Sequence, residues 1–136
     1  MAGLIEELES FLGVSFLEFN RNREKTRAAE RNFQLLVEQA SDINAHIAAE
    51  RSINTPENYW ESFRAMERLE ILDGKTAREL MRSAKLRNIL IHEYDFGQDN
   101  FILYKSVKKF IPIYKNYIKE IERYYEKQTK KLKVVK

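Results

Sequence analysis

The chain has 136 residues, the length of a single domain. Its four glycines and two prolines are too few for the turns of a β-sandwich or barrel, or for a glycine-rich nucleotide loop. The absence of cysteine excludes a disulfide scaffold, a thiol nucleophile and a thiolate zinc site, and the presence of only two histidines argues against a multi-histidine metal site. We therefore expect an all-α chain that needs no metal or other cofactor.

Charge and hydropathy indicate the compartment in which the protein acts. No apolar run approaches the roughly 18 residues that a membrane span requires, and the first nine residues carry three acids where a secretion signal has bases. We expect a cytoplasmic protein without membrane contact. Five lysines and no acid fall in residues 127–136, so that 19 bases and 21 acids remain, a net charge of −2. This predicts a domain over residues 1–126, a flexible basic tail, and only local contact with RNA.

The first two helical segments lie before residue 52. A short amphipathic helix is predicted over Ala2–Leu12 and ends at Gly13. A second segment begins near Ser15, and its polar residues allow an interruption around Asn20–Asn22. From Thr26 to about Arg51 the apolar residues recur at spacings of three and four, which predicts a long helix facing the core.

Three further helices complete the prediction. Thr55 is expected to cap the third, with Pro56 at its first position and an end near Leu72. The fourth is expected to open with a capping box from Thr76 and to continue to about His92–Tyr94. The fifth covers Asp99 to about Lys127 and should be kinked at Pro112, which lies inside it. The predicted fold is a single antiparallel α-helical bundle of about five helices.

The fourth helix contains a cation where its periodicity requires an apolar residue. The core-facing stripe should read Leu80, Ala84, position 87 and Ile91, and position 87 is an arginine. Two interpretations are open. Arg87 could belong to a buried network or an Arg–Glu pair across two packed helices, or it could belong to a functional site.

Other polar residues follow Arg87 on the same helix. Asn88 and His92 are four residues apart, and Tyr94 is seven residues, or two turns, from Arg87. An arginine and a histidine are sufficient to cleave RNA, because the ribose 2′-hydroxyl is an internal nucleophile. The protein need only move two protons and neutralise the phosphate.

The residues Arg87, His92 and Tyr94 form an R-x4-H-x-Y pattern, which resembles the HEPN superfamily and specifically its HepT-like toxin branch. The surrounding chain agrees with that branch over about Thr26 to Tyr125, most of its length. The resemblance implies a metal-independent endoribonuclease that acts as the toxin of a type VII-like toxin–antitoxin system. Its substrate would be tRNA or mRNA, and its products a 2′,3′-cyclic phosphate and a 5′-hydroxyl.

The resemblance also implies a homodimer and a partner protein. Arg87 and His92 are about 140° apart around one helix, so a twofold axis that joins two R-x4-H motifs would form a composite catalytic site. The expected partner is an MNT-type nucleotidyltransferase antitoxin that attaches AMP to Tyr94. The alternative is a non-catalytic helical subunit that presents nucleotide or substrate to a minimal nucleotidyltransferase. A structural dimerisation bundle is a third interpretation.

Three residues are candidates for a supporting role. Asn88 adjoins Arg87 directly. Asp42 and His46 are four residues apart on the long helix, where they could orient Arg87 or line an RNA groove. An ordinary intrahelical pair is the interpretation we favour for Asp42 and His46.

Overall fold

The computed structural model describes residues 1–92 and 100–135, with side chains for 1–91 and 100–132. These residues form six helices: α1 (Ala2–Leu12), α2 (Phe16–Arg21), α3 (Arg23–Glu50), α4 (Tyr59–Arg68), α5 (Gly74–His92) and α6 (Asn100–Val135). The predicted all-α bundle is confirmed, and the described residues contain no strand. There is one helix more than expected because the second predicted segment is divided in two.

The division between α2 and α3 is produced by asparagine capping. The Ser15 hydroxyl accepts a hydrogen bond from the Glu18 backbone N–H and opens α2. Asn22 ends α2 and caps α3, where its Oδ1 accepts from the Lys25 backbone N–H at 3.1 Å. The buried Thr26 hydroxyl lies within hydrogen-bond distance of the carbonyl oxygens of Phe19 and Asn22, which links the two helices. The interruption predicted at Asn20–Asn22 is therefore confirmed.

The predicted start of α4 is wrong. The helix begins at Tyr59, with Asn58 in place of Thr55 as its cap, and the Asn58 Oδ1 accepts from the Glu61 backbone N–H at 2.9 Å. Pro56 therefore precedes the helix. Asparagine is at least as good a cap as threonine, and its use lets α4 begin three residues later. The helix also ends at Arg68, before the predicted Leu72.

The predicted capping box of α5 is also wrong. The helix begins at Gly74, and the Asp73 carboxylate accepts from the Thr76 backbone N–H at 2.7 Å. Thr76 therefore lies inside the first turn. Glu79, the other member of the predicted box, instead pairs with Arg82 and Lys109.

The last helix, α6, is longer than predicted. It begins at Asn100 and continues to Val135, so the lysine-rich residues up to that point extend the same helix. Pro112 lies inside it, and the kink expected there stays a prediction, as does the domain boundary at residue 126. No described helix is long and apolar enough to cross a membrane.

The long helix α3 packs against every other helix of the bundle. Phe33 stacks on Phe110, and the Tyr117 hydroxyl lies 3.1 Å from the Ala40 carbonyl oxygen, so contacts advance in the same direction along α3 and α6. Contacts from α1 and the α1–α2 turn to α6 run the opposite way, from Glu9–Lys115 to Val14–Tyr104. The helices thus surround one continuous core.

A buried polar layer crosses that core. Tyr117 donates to Asn44 Oδ1 at 2.6 Å, and Asn44 Nδ2 donates to the Ser62 hydroxyl, which joins α6, α3 and α4. Tyr114 shares a 2.7 Å hydrogen bond with Ser83 of α5. Burial raises the pKa of both tyrosines well above the usual value of 10.0. They therefore act as neutral core residues at physiological pH.

Candidate functional site

Arg87 lies near the end of α5 with its side chain only 14% exposed. Its Nη2 donates to Glu38 Oε1 of α3 at 2.7 Å. Its Nη1 donates to Asn88 Oδ1 at 3.2 Å. Its Nε is buried and has no hydrogen-bond partner in the described part of the chain. The guanidinium is therefore held in place while some of its donor capacity is unused.

The ring of Tyr59 supports the same guanidinium from α4. The Arg87 Cζ lies 4.4 Å from the ring centroid, within the range of a cation–π contact. Leu80 and Ala84, the preceding residues of the α5 stripe, are completely buried. A lone charge beside such residues is costly to bury. Glu38 and Tyr59 compensate that cost and fix the position of Arg87 among three helices.

Glu38 and Tyr59 are the residues that sequence reasoning missed. The sequence allowed an Arg–Glu pair across packed helices, and this interaction is observed, but 49 residues separate its members. The signal for Glu38 was weak: it is a single acid directly after the buried Leu36 and Val37. No spacing rule connects positions so far apart along the chain.

Of the three supporting candidates, the structure brings only Asn88 to Arg87. Asp42 is exposed one turn beyond Glu38 on α3. His46 is also exposed, and its Nε2 lies 2.9 Å from Glu50 Oε1. His46 therefore has an intrahelical partner, although that partner is Glu50 and not Asp42. The hydrogen bonds and ion pairs of Arg87 within the described chain go to Glu38 and Asn88, and neither Asp42 nor His46 takes part in them.

His92 is the last residue of α5, five residues beyond Arg87. Its side chain and the whole of Tyr94 lie outside the described residues. Among the residues that the structure describes, no three His, Asp or Glu side chains are grouped so that they could hold a metal ion. The part of the site that can be described is thus one immobilised arginine with an acid and an amide beside it.

Comparison with known proteins relates this bundle to ribonucleases. The family model described as "Ribonuclease HepT-like" matches residues 1–121, which includes N-terminal residues outside the motif resemblance. A tRNA nuclease HepT of Aphanizomenon flos-aquae (strain 2012/KM1/D3) is 28% identical over 120 residues, 88% of this chain and 81% of that protein.

Solved structures share the fold at lower identity. A tri-AMPylated HEPN toxin of Shewanella oneidensis, in complex with an MNT antitoxin, has a TM-score of 0.79 at 20% identity, over 90% of each chain. A toxin–antitoxin structure with AMP-PNP has a TM-score of 0.80 at 19% identity, over 90% of this chain and 91% of that one.

Proposed function

Because the chain belongs to the HepT-like ribonuclease family, we propose that it is an endoribonuclease and the toxin of a type VII-like toxin–antitoxin system. The observation that supports RNA cleavage as the reaction is the family match over residues 1–121. The relative named as a tRNA nuclease supports tRNA as the substrate, with mRNA as the second choice. We expect the protein to act in the cytoplasm, where both RNAs are present.

The proposed reaction uses the RNA's own nucleophile. A neutral His92 removes the proton from the ribose 2′-hydroxyl, and the oxygen attacks the adjacent phosphorus. The bond to the 5′-oxygen breaks, and a protonated histidine supplies the proton that this oxygen needs. Arg87 donates to the phosphate oxygens, where negative charge increases in the transition state. The products are a 2′,3′-cyclic phosphate and a 5′-hydroxyl, and no step requires a metal.

The proposal places the catalytic site at a homodimer interface. Within one chain, Arg87 and His92 are about 140° apart around α5. A twofold axis beside α5 brings two such motifs together, so that one His92 acts as base and the other as acid. Arg87 of each chain enters this interface with its side chain already fixed by Glu38 and Tyr59.

Regulation by a nucleotidyltransferase is the last part of the proposal. The similar fold of a tri-AMPylated toxin bound to an MNT antitoxin supports such a partner here. Tyr94 is the proposed acceptor of AMP. The phosphate of the AMP attached to Tyr94 would compete with RNA for Arg87, since arginine and phosphate form a strong charge-assisted pair.

The proposed activity is tested with the purified full-length chain on total tRNA in excess chelator. We expect cleavage that leaves 5′-hydroxyl ends, which polynucleotide kinase can label directly. His92→Ala should lower the rate by at least about a hundredfold, the usual contribution of a general acid or base. Arg87→Ala should lower it by a similar factor, because a donor to the developing phosphate charge is lost. Arg82→Ala is the matched control, because Arg82 is an exposed arginine on the same helix.

Two outcomes would contradict this mechanism. The first is cleavage that is lost in chelator and restored by magnesium. The second is a His92→Ala chain that retains its fold and cuts at the wild-type rate. A chain that never cuts RNA but carries AMP from its partner would favour the non-catalytic subunit.

A further inference from the structure

A groove of about 840 Å³ lies where α2, the first turns of α3 and the start of α6 meet. Within its lining, Asn100 Nδ2 of α6 donates a hydrogen bond to Asn20 Oδ1 of α2 at 2.9 Å. Its walls include Glu30 and Gln34 of α3. We call it the arginine groove after the four exposed side chains that line it: Arg21, Arg23, Arg27 and Arg31.

These four arginines have no carboxylate partner among the described residues. Three arginines elsewhere in the described residues do have such a partner: Arg82 with Glu79, Arg87 with Glu38 and Arg123 with Glu120. Within the groove, Arg31 Nη1 donates to Gln34 Oε1 at 3.4 Å, which leaves its charge uncompensated. Glu30 is the single acid of the described lining and is mostly buried. The groove therefore presents a concentrated positive charge to solvent.

The placement of these charges is unfavourable for the free protein. Arg23, Arg27 and Arg31 are successive residues of one i, i+4 stripe, where like charges repel. Arg23 is also the first residue of α3, where the helix dipole disfavours a cation. An anion with several charges in the groove would offset both costs.

The groove adjoins the candidate site through α3. Gln34 lies one turn after Glu30, to which its amide donates at 3.5 Å, and one turn before Glu38, the partner of Arg87. Arginines one turn apart are separated by about 6 Å along the helix axis, which is comparable to the distance between neighbouring phosphates of a nucleic acid strand. Along α3, the arginines thus approach Arg87 at intervals that suit the phosphates of a sugar–phosphate backbone.

We propose that the arginine groove binds consecutive backbone phosphates of the RNA on one side of the bond to be cut. This inference rests on RNA being the substrate, as proposed above. It assigns binding to residues outside the R-x4-H motif and makes that binding independent of base sequence, because arginine–phosphate contacts carry no sequence information. The net charge of −2 over residues 1–126 is compatible with such a local site.

The test measures binding of fluorescent tRNA to the full-length chain across a salt series, in the His92→Ala background so that the probe stays intact. The groove variant is Arg27→Gln with Arg31→Gln. The matched control is Arg64→Gln with Arg68→Gln, which removes two exposed arginines at the same i, i+4 spacing on α4. Arg27→Lys with Arg31→Lys keeps the charge and tests whether the glutamine variant acts through charge.

We expect the groove variant to bind about tenfold more weakly at low salt. Its log–log salt slope should be shallower by about 0.7–0.9 for each phosphate that is no longer neutralised by an arginine. The lysine variant should stay within about threefold of the parent, and the α4 control should be unchanged. In the cleavage-competent chain, the groove variant should raise KM and leave kcat unchanged.

Three results would overturn the inference. One is a groove variant with the affinity and salt slope of the parent. Another is an equal weakening in the α4 control, which would make the effect one of net charge. The third is unchanged RNA binding with weakened capture of the nucleotidyltransferase, which would assign the arginines to a protein partner. Failure of the proposed function is distinguishable, because cleavage would then be absent in the wild type whatever the binding data show.

Discussion

Arg87 occupies a position on α5 where helical periodicity requires an apolar side chain, and it is stabilised there by residues from two other helices. Glu38 accepts a hydrogen bond from its Nη2 at 2.7 Å, and Tyr59 covers one face of the guanidinium. Because the arginine is held before any ligand arrives, little conformational entropy remains to be lost when a phosphate binds. This positioning is what a site that stabilises phosphate charge requires.

A prediction about Glu38 follows from this geometry. Glu38→Gln should lower kcat of RNA cleavage by about tenfold, equivalent to about 1.4 kcal/mol, because Arg87 loses the charged partner that orients it. KM should not rise, since the substitution removes a negative charge from beside the proposed phosphate site. Kinetics on tRNA measure both parameters. Glu120→Gln, which breaks the surface pair with Arg123, is the control, and an unchanged kcat in Glu38→Gln would refute the positioning role.

A second prediction for a single residue concerns Tyr94. Coexpression with the nucleotidyltransferase should add AMP to Tyr94 and abolish RNA cleavage, because the attached phosphate would occupy the proposed anion site of Arg87 at a high effective concentration. Tyr94→Phe should remain toxic and become insensitive to the partner. Mass spectrometry locates the modification. Silencing of Tyr94→Phe through AMP on another residue would show that the assignment is wrong.

At the scale of the helices, the N-terminal cap of α5 shows how one residue stabilises one helix. Hydrogen bonds from the backbone N–H and the hydroxyl of Thr76 lower the pKa of the Asp73 carboxyl below its usual 3.8. The charged form is therefore favoured by folding. Its stabilisation is complete above the unfolded-state pKa of about 3.9 and is lost as the pH falls through the folded-state value.

Asp73→Ala tests this cap. The substitution should lower the free energy of unfolding by about 1 kcal/mol at pH 7, and the difference from wild type should shrink as the pH falls below about 4. Urea titrations across this pH range measure both effects. Asp42→Ala is the control, since Asp42 is an exposed acid inside α3. A wild-type advantage that grows towards low pH would contradict the assigned direction of the shift.

At the scale of the whole molecule, the composite site is tested in the dimer, because no single chain contains both proposed histidines. Wild-type chains coexpressed with an excess of His92→Ala chains should form mixed dimers that lack one of the two histidines. The activity for each wild-type chain should then fall towards zero as the excess grows. An excess of Arg82→Ala chains should have no such effect. Activity that stays proportional to the wild-type chains, or a fully active monomer in light scattering, would refute the shared site.

Some helix boundaries follow from the local sequence, and others depend on tertiary packing. The break at Asn22 was predictable because a single asparagine satisfies the cap geometry at that point. The starts of α4 and α5 were not, because Thr55 and Asn58, and Asp73 and Thr76, offer alternative caps three residues apart. The choice between such caps depends on how each helix packs. Local sequence does not contain that information.

The sequence by itself determined the all-α class, the long core-facing helix and the anomalous Arg87, because helical periodicity is a local property repeated every three or four residues. Only the tertiary structure decided the partners of Arg87, which come from α3 and α4, and the convergence of arginines from two helices into one groove beside Asn100. Such contacts join positions far apart in the chain. They form only when the helices pack together and bury their apolar faces. No residue spacing within a single helix encodes them.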